Sequence, residues 1–208
     1  EQLSNDGYRV LALAKRHFGS MPEQIDADTI ERDLIFLGLV ALTDPLRTEV
    51  PQAMADCISA GITPVIITGD HRGTALAIAK HLHIAKGEPK MLDGKELELI
   101  THQELINNVT SIQLFSRVSP IQKLKIVKAL QENNQFVAMT GDGVNDAPAL
   151  QRANIGIAMG QTGTDVARGA ADMVLLDDDF STIVRSVKAG RKIFDNIQCN
   201  FRVSAGGG

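Results

Sequence analysis

The sequence predicts an α/β domain built on a mostly parallel sheet, and three observations carry that expectation. From about Leu34 onward, short apolar runs alternate with segments of helical periodicity. The runs are rich in Val, Ile, Leu and Met along their whole length, as strands covered on both faces are. Several of them stop abruptly at polar residues, as strands do along the carboxyl edge of such a sheet.

In chain order, Tyr8 to Ala14 reads as a strand and is followed by a polar stretch containing Met21-Pro22-Glu23, so residues 1–33 form an appendage. Residues 34–180 form the main domain. Its strands are expected at Ile35 to Leu42, Thr63 to Thr68, Ser111 to Val118, Gln135 to Thr140, Ile155 to Met159 and Met173 to Leu176, each bounded by Gly, Pro or Asp. Between the first two, Thr48 to Ala60 places Val50, Ala53, Met54, Cys57 and Ile58 on one helical face, with Gly61 as a stop. Another helix opens on Ser119 as N-cap with Pro120 in its first turn, and carries Leu124, Ile126, Val127 and Leu130. Asp177-Asp178-Asp179 ends a strand and caps the next helix. Residues 181–208 begin with one long amphipathic helix from Ser181 to Ser204 and finish in a glycine-rich end.

Composition narrows the function. The 208 residues carry a net charge of −4, with 44% hydrophobic and 22% charged residues, which excludes disordered and collagen-like chains. The two cysteines, Cys57 and Cys199, lie far apart and outside any CxxC, so a reducing compartment is expected and a metal knuckle is not. No signal peptide opens the sequence, and its longest apolar stretch, Ile35 to Leu42, is well below the ~20 residues that span a bilayer. One tyrosine, no tryptophan and no basic block leave no footprint for nucleic acid.

Three strand ends carry chemistry. At Met139-Thr140-Gly141-Asp142-Gly143-Val144-Asn145-Asp146, an apolar strand runs into two carboxylates, an amide and two glycines. Asp142 and Asp146 then sit at the ligand crevice beside a helix start, and such a pair suits Mg²⁺, which takes one or two acids together with waters and a phosphate oxygen. The plainer alternative is a tight turn followed by a helix cap. Thr68-Gly69-Asp70 ends another strand with a hydroxyl for a phosphate oxygen and a glycine that admits an anion to the backbone, although the same triplet serves ordinary turns. Lys123 lies in the first turn of a helix, where the dipole favours an acid; it fits there if it faces a bound anion or the two carboxylates, and otherwise is a solvated surface lysine. Together these groups are suited to phosphoryl transfer. No strand end carries a nucleophile with the local activation that covalent catalysis needs.

Thr68-Gly69-Asp70, Pro120 to Lys123 and the eleven-residue run Thr140 to Leu150 resemble the phosphorylation domain of P-type cation-transporting ATPases, within the haloacid-dehalogenase-like superfamily. Further likeness lies in Thr43 to Arg47, Ile155 to Gly160, Gly163 to Ala167 and Ala170 to Leu175, so the resemblance covers about Leu34 to Asn200. Gly7 to Ala14 looks like the end of the family's nucleotide-binding insertion. The resemblance implies a Rossmann-like sheet flanked by helices, and a site in which Asp142 coordinates Mg²⁺, with Asp146 and Asn145 close by. Thr68 and Lys123 would hold the phosphoryl group. Gly69, Asp70 and Arg117 would lie toward ATP, with Asp44 and Arg47 in a supporting loop. It also implies ATP as substrate, the remaining nucleotide-binding, actuator and transmembrane domains of a pump as partners, and a place on the cytoplasmic face of a membrane. The calcium-transporting branch is the most similar.

Leu46 departs from the family by standing where many members have a second proline. More seriously, the family's phosphorylated aspartate sits in Asp-Lys-Thr-Gly-Thr, which is absent from these 208 residues. The chain therefore resembles a piece that begins near the end of the insertion and stops at the stalk helix, inactive by itself. In the family that motif lies on the central strand, between the strands ending at Thr68 and Asp142. Without it two inner edges are expected to be unpaired, inviting self-association, a swap of Tyr8 to Ala14 into the gap, or an abnormal closure of the sheet. The other readings are a catalytically inactive Mg²⁺- or phosphate-binding regulatory domain, and a phosphatase of the same superfamily using Asp26-Ala27-Asp28.

Overall fold

The computed structural model describes residues 8–21, 25–42 and 47–205, with side chains described except at Arg9 and 198–205. Asp44, with Thr43, Pro45 and Leu46, lies outside the described residues. The chain divides into two compact units, residues 1–45 and 46–208.

The first unit contains β1 (Arg9–Lys15), a single helical turn α1 (Ala27–Ile30) and β2 (Ile35–Leu42). The two strands pair antiparallel from Arg9↔Leu42 to Lys15↔Ile35, with an irregularity after Leu13. The segment expected to swap into the main sheet is therefore the partner of β2, and β2 belongs to this ribbon instead of the parallel sheet. Antiparallel pairing explains the change, because two apolar runs of similar length satisfy each other's backbone without a crossover helix. The ribbon leaves Leu11, Leu13, Ile35, Phe36, Leu37 and Leu39 all about half exposed.

The second unit is three-layered. It runs α2 (Val50–Ser59), β3 (Ile66–Ile67), α3 (Arg72–His81), β4 (Met91–Asp93), α4 (Gly94–Leu99), α5 (His102–Asn108), β5 (Leu114–Ser116), α6 (Pro120–Glu132), β6 (Ala138–Gly141), α7 (Ala147–Arg152), β7 (Ile155–Met159), α8 (Asp165–Ala170), β8 (Met173–Leu175) and α9 (Phe180–Ala205). All strand pairs here are parallel. They form two three-stranded sheets, ordered β4-β5-β3 and β6-β7-β8.

Strand ends differ from the sequence reading for local reasons. Pro64 has no N–H to give a ladder, so β3 starts after it. β5 starts late because residues 109–111 make a 3₁₀ turn, and it stops where Arg117 turns left-handed, at φ 51°. β6 begins three residues late, since Asn134 is left-handed and the Gln135 N–H closes onto the Leu130 carbonyl. β4 was not expected: three residues are too few to show a period.

Alternation along the strands builds the layers. In the first sheet Phe115 faces Leu97, Leu105, Val109 and Ile126, while its neighbour Leu114 faces α3 through Ala75 and Ala79. In the second sheet Met139 and Ala158 pack with α7 and α8, whereas Ile157 and Leu175 meet Ile183 of α9. Helix α6 packs against both sheets. Adjacent α6 residues enter different cores, Ile126 the first and Val127 the second, both fully buried. At about 1.5–3 kcal/mol for each fully buried aliphatic side chain, such packing holds the sheets together although, among the described residues, no strand pairing connects them. Among the described residues no helix is long and apolar enough to cross a membrane.

Candidate functional site

The carboxyl ends of β3 and β6 open into one cavity of about 310 Å³, lined by Ile67, Thr68, Lys123, Met139, Thr140, Gly141, Asp142, Asp146 and Met159. Four of the residues singled out by sequence, Thr68, Lys123, Asp142 and Asp146, thus meet in one place. Each arrives by a simple local device. Thr68 is held by its own N–H on the Phe115 carbonyl at 2.9 Å and by the Val118 N–H on its carbonyl at 3.1 Å, and its hydroxyl accepts the Asp70 N–H at 3.0 Å. Lys123 is set by a capping box, in which Ser119 Oγ accepts the Gln122 N–H and Gln122 Oε1 accepts the Ser119 N–H.

Asp146 is buried and engaged on both oxygens. Oδ1 takes the Lys123 ammonium at 2.6 Å and Oδ2 the Gly143 N–H at 3.2 Å. The pair is largely desolvated, with side-chain exposures of 15% for Lys123 and 11% for Asp146. A glycine is required opposite it: a Cβ on Gly141 would lie 2.6 Å from Asp146 Cβ. Lys123 therefore faces a carboxylate, one of the three placements that its position on a helix start allows.

Asp142 differs. It is exposed, and among the described residues no hydrogen bond or ion pair holds its carboxylate. The donor set fits Mg²⁺ in the sparse way that ion prefers, with one open carboxylate, a second close by on the same loop, and room for waters and phosphate oxygens. No cluster of three or more His, Cys, Asp or Glu side chains that could hold a metal occurs among the described residues.

The remaining candidates stand outside the cavity lining. Gly69 and Asp70 follow Thr68 and are exposed, and the Arg117 N–H donates to the Asp70 carbonyl at 3.0 Å, which joins the two turns. Asn145 is exposed on the turn between Asp142 and Asp146. Arg47 reaches across the second unit to donate to the carbonyl of Asp178. Asp26 caps α1 by accepting the Thr29 N–H at 2.7 Å, so the early Asp-Ala-Asp pair sits at a helical turn and not at a strand end.

Sequence reasoning passed over the supports of the second sheet. Asp177 and Asp179 do serve the start of α9, through Thr182 Oγ1 and the Ser181 N–H. Asp178 does something else. It is 4% exposed, and its carboxylate accepts the N–H groups of Gly160, Gln161 and Thr162 and the Thr162 hydroxyl. An acid flanked by two acids reads as a cap, and only the loop folding back from residue 160 distinguishes the middle one. The Gln161 N–H leads in holding its carboxyl well below the usual range, at about 2; burial opposes this, and the bonds from Thr162 and Gly160 reinforce it. A depressed folded value means stability that is present above the unfolded value and lost as pH falls through the folded one. The chain is thus expected to lose stability between about pH 4 and pH 2, and Asp178→Asn to flatten that part of the curve, as read by thermal unfolding at stepped pH.

Residues 5–154 match the family described as haloacid dehalogenase-like hydrolase. Among curated proteins, the chain is 49% identical to Calcium-transporting ATPase 1 of Bacillus cereus over 207 residues, covering 96% of this chain and 23% of that one. It is 50% identical to the Calcium-transporting ATPase of Bacillus subtilis, covering 94% and 22%. It is 46% identical to Calcium-transporting ATPase type 2C member 1 of Bos taurus, covering 95% and 19%. The chain thus spans less than a quarter of the length of these relatives. Among solved structures it is similar to a zinc-transporting PIB-type ATPase in the E2.Pi state, with a TM-score of 0.68 and 28% identity, over 99% of this chain and 26% of that one. With parallel strands that run into Thr68 and Asp142, Asp146 on the turn that follows, and a family match across most of its length, the chain belongs to the haloacid dehalogenase-like hydrolases.

Proposed function

We propose that the chain is the phosphorylation domain of an ATP-driven cation pump, with calcium as the transported ion, and that its cavity handles an aspartyl-phosphate formed and hydrolysed with Mg²⁺ in the whole protein. One observation carries the reading: a hydroxyl, an ammonium and two carboxylates converge on a single cavity at the carboxyl ends of parallel strands. The similarity to calcium-transporting ATPases supports the ion, and such a domain would stand on the cytoplasmic face of a membrane.

Each residue has a distinct part. Thr68 offers its hydroxyl and the neighbouring Gly69 turn to phosphate oxygens. Lys123 neutralises charge as the phosphoryl group moves, and Asp146 keeps that ammonium aimed into the cavity. Asp142, with Asn145 and Asp146 near it, would hold Mg²⁺, which supplies charge neutralisation to the phosphate oxygens when bound. Asp70 and Arg117 would lie toward ATP, and Arg47 would take a supporting part through its bond to the Asp178 carbonyl.

The whole protein, given ATP labelled on the γ-phosphate with Mg²⁺, is expected to form an acid-stable phosphoenzyme. Lys123→Ala lowers the rate of its formation about 10²-fold, the usual effect of losing one preorganised donor. Asp142→Asn raises the Mg²⁺ concentration that its formation requires. No phosphoenzyme in the unmodified protein would overturn the reading.

The acceptor aspartate would come from another segment of the whole protein, and the sheet edges beside the cavity support a place for it there. Among the described residues β3 pairs only with β5 and β6 only with β7, and both flank the cavity. Since Ile66 and Thr68 direct their N–H groups to β5, alternation turns the backbone of Ile67 the other way, toward an unpaired edge. A single parallel strand from the rest of the pump satisfies both edges. The 208-residue chain alone is expected to self-associate through them, giving a mass that rises with concentration in sedimentation equilibrium. A constant monomer mass across the concentration range would remove that part.

A further inference from the structure

Asp178 binds a loop that leads directly to the cavity. The loop leaves β7 at Gly160 and enters α8 at Thr164, where the Thr164 N–H donates to the carbonyl of Asp142 at 2.9 Å. Its two ends are therefore fixed to different things: residues 160–162 to the Asp178 carboxylate, and Thr164 to the backbone of Asp142. Arg168 of α8 tightens the path by donating to the carbonyls of Gly160 and Gly163. The path has little slack, because a Cβ on Gly163 would overlap the Met159 carbonyl. Asp178 itself is fixed from behind by Arg47 on its carbonyl and by its own N–H on the Leu175 carbonyl at 3.2 Å. It also stands two residues before α9.

We propose that Asp178 is a positioning residue for the cavity: through the loop 160–164 it sets the backbone of Asp142, and it ties that setting to the start of the long helix α9. The proposal rests on the reading of Asp142 as the Mg²⁺-binding carboxylate for its functional meaning, but the mechanical link does not. Four hydrogen bonds to one buried carboxylate are charge-assisted, and no neutral side chain of this size accepts all four. The left-handed backbone at residue 178, φ 52°, is one that Asp and Asn tolerate and other side chains resist, so it suits a residue that must present its carboxylate backward to a loop.

The test is amide hydrogen exchange, by NMR, on the 208-residue chain and three variants. Asp178→Asn keeps the backbone preference and the size but presents an NH₂ to the loop donors. Exchange at Gly160, Gln161 and Thr162 is expected to accelerate about 10-fold or more, and exchange at Thr164, which Asp178 does not touch, several-fold. Thr162→Val removes only the hydroxyl donor and gives a smaller change with the same pattern, which keeps the test available if the first variant folds poorly. Asp177→Asn, which weakens contacts to Thr182, Asp179 and Arg185, leaves Thr164 unchanged. Acceleration confined to residues 160–162 overturns the proposal and makes Asp178 a local cap; acceleration at Thr164 in Asp177→Asn overturns it as well. A Mg²⁺ titration of the unmodified chain, read at the Asp142 and Asn145 amides, bears on the Mg²⁺ reading separately. No response there removes the metal from Asp142 while the exchange result still decides the link.

Discussion

Asp146→Ala is expected to destabilise the chain by about 3 kcal/mol, at the lower end of what breaking a buried ion pair costs. The size reflects the groups left without partners. The Lys123 ammonium, 15% exposed, loses a partner at 2.6 Å and remains beside Ile67, Met139 and Met159. The Gly143 N–H loses its acceptor in the same step, which adds part of a desolvation penalty. Replacing both charges, with Lys123→Met and Asp146→Leu together, should recover a good part of the loss, since a buried pair is worth little against apolar side chains of similar volume. Urea unfolding of the two single variants and the double variant gives the coupling, expected at about 1–3 kcal/mol. A single-variant loss below about 0.5 kcal/mol would show that Lys123 reaches solvent through the open cavity and that the pair holds nothing in place.

The same pair shows what the sequence could and could not say about the site. That Thr68, Lys123, Asp142 and Asp146 belong together was legible, because each follows a strand and strand ends of a parallel sheet converge. Which partner Lys123 takes was not, because a lysine in a first helical turn is compatible with solvent, an anion or an acid, and only folding chooses. The helices over 50–59, 120–132 and 180–205 were readable from their periodicity and caps. Strand pairing was less readable. Ile35–Leu42 has the composition of a buried parallel strand, yet its partner is the antiparallel β1, a choice made by a ribbon contact that periodicity does not encode. Asp178 reads in sequence only as part of a cap for a related reason, since its partners are backbone N–H groups 16 to 18 residues away, which leave no side-chain signature.

Phe115→Ala is expected to cost about 3–5 kcal/mol, the range for emptying a fully buried aromatic position. Phe115 is completely buried among Leu97, Leu105, Val109 and Ile126, on the central strand of its sheet. Those neighbours come from α4, α5, the 3₁₀ turn and α6, so no single element can move in to fill the space without opening a gap elsewhere. For a domain whose whole stability is about 5–15 kcal/mol, this is a large fraction. The effect also reaches the cavity. β3 is only two residues long and hangs on β5 from one side, and the Thr68 N–H is held by the Phe115 carbonyl itself. Loosening β5 therefore loosens Thr68 before the rest of the unit, and exchange at the Thr68 amide should quicken more than exchange at Ile157 in the second sheet. Phe136→Ala is the matched control: the same deletion at a side chain 75% exposed should cost less than about 0.5 kcal/mol. Equal losses for the two phenylalanines would mean that β5 is not the element on which the first sheet, and with it one wall of the cavity, depends.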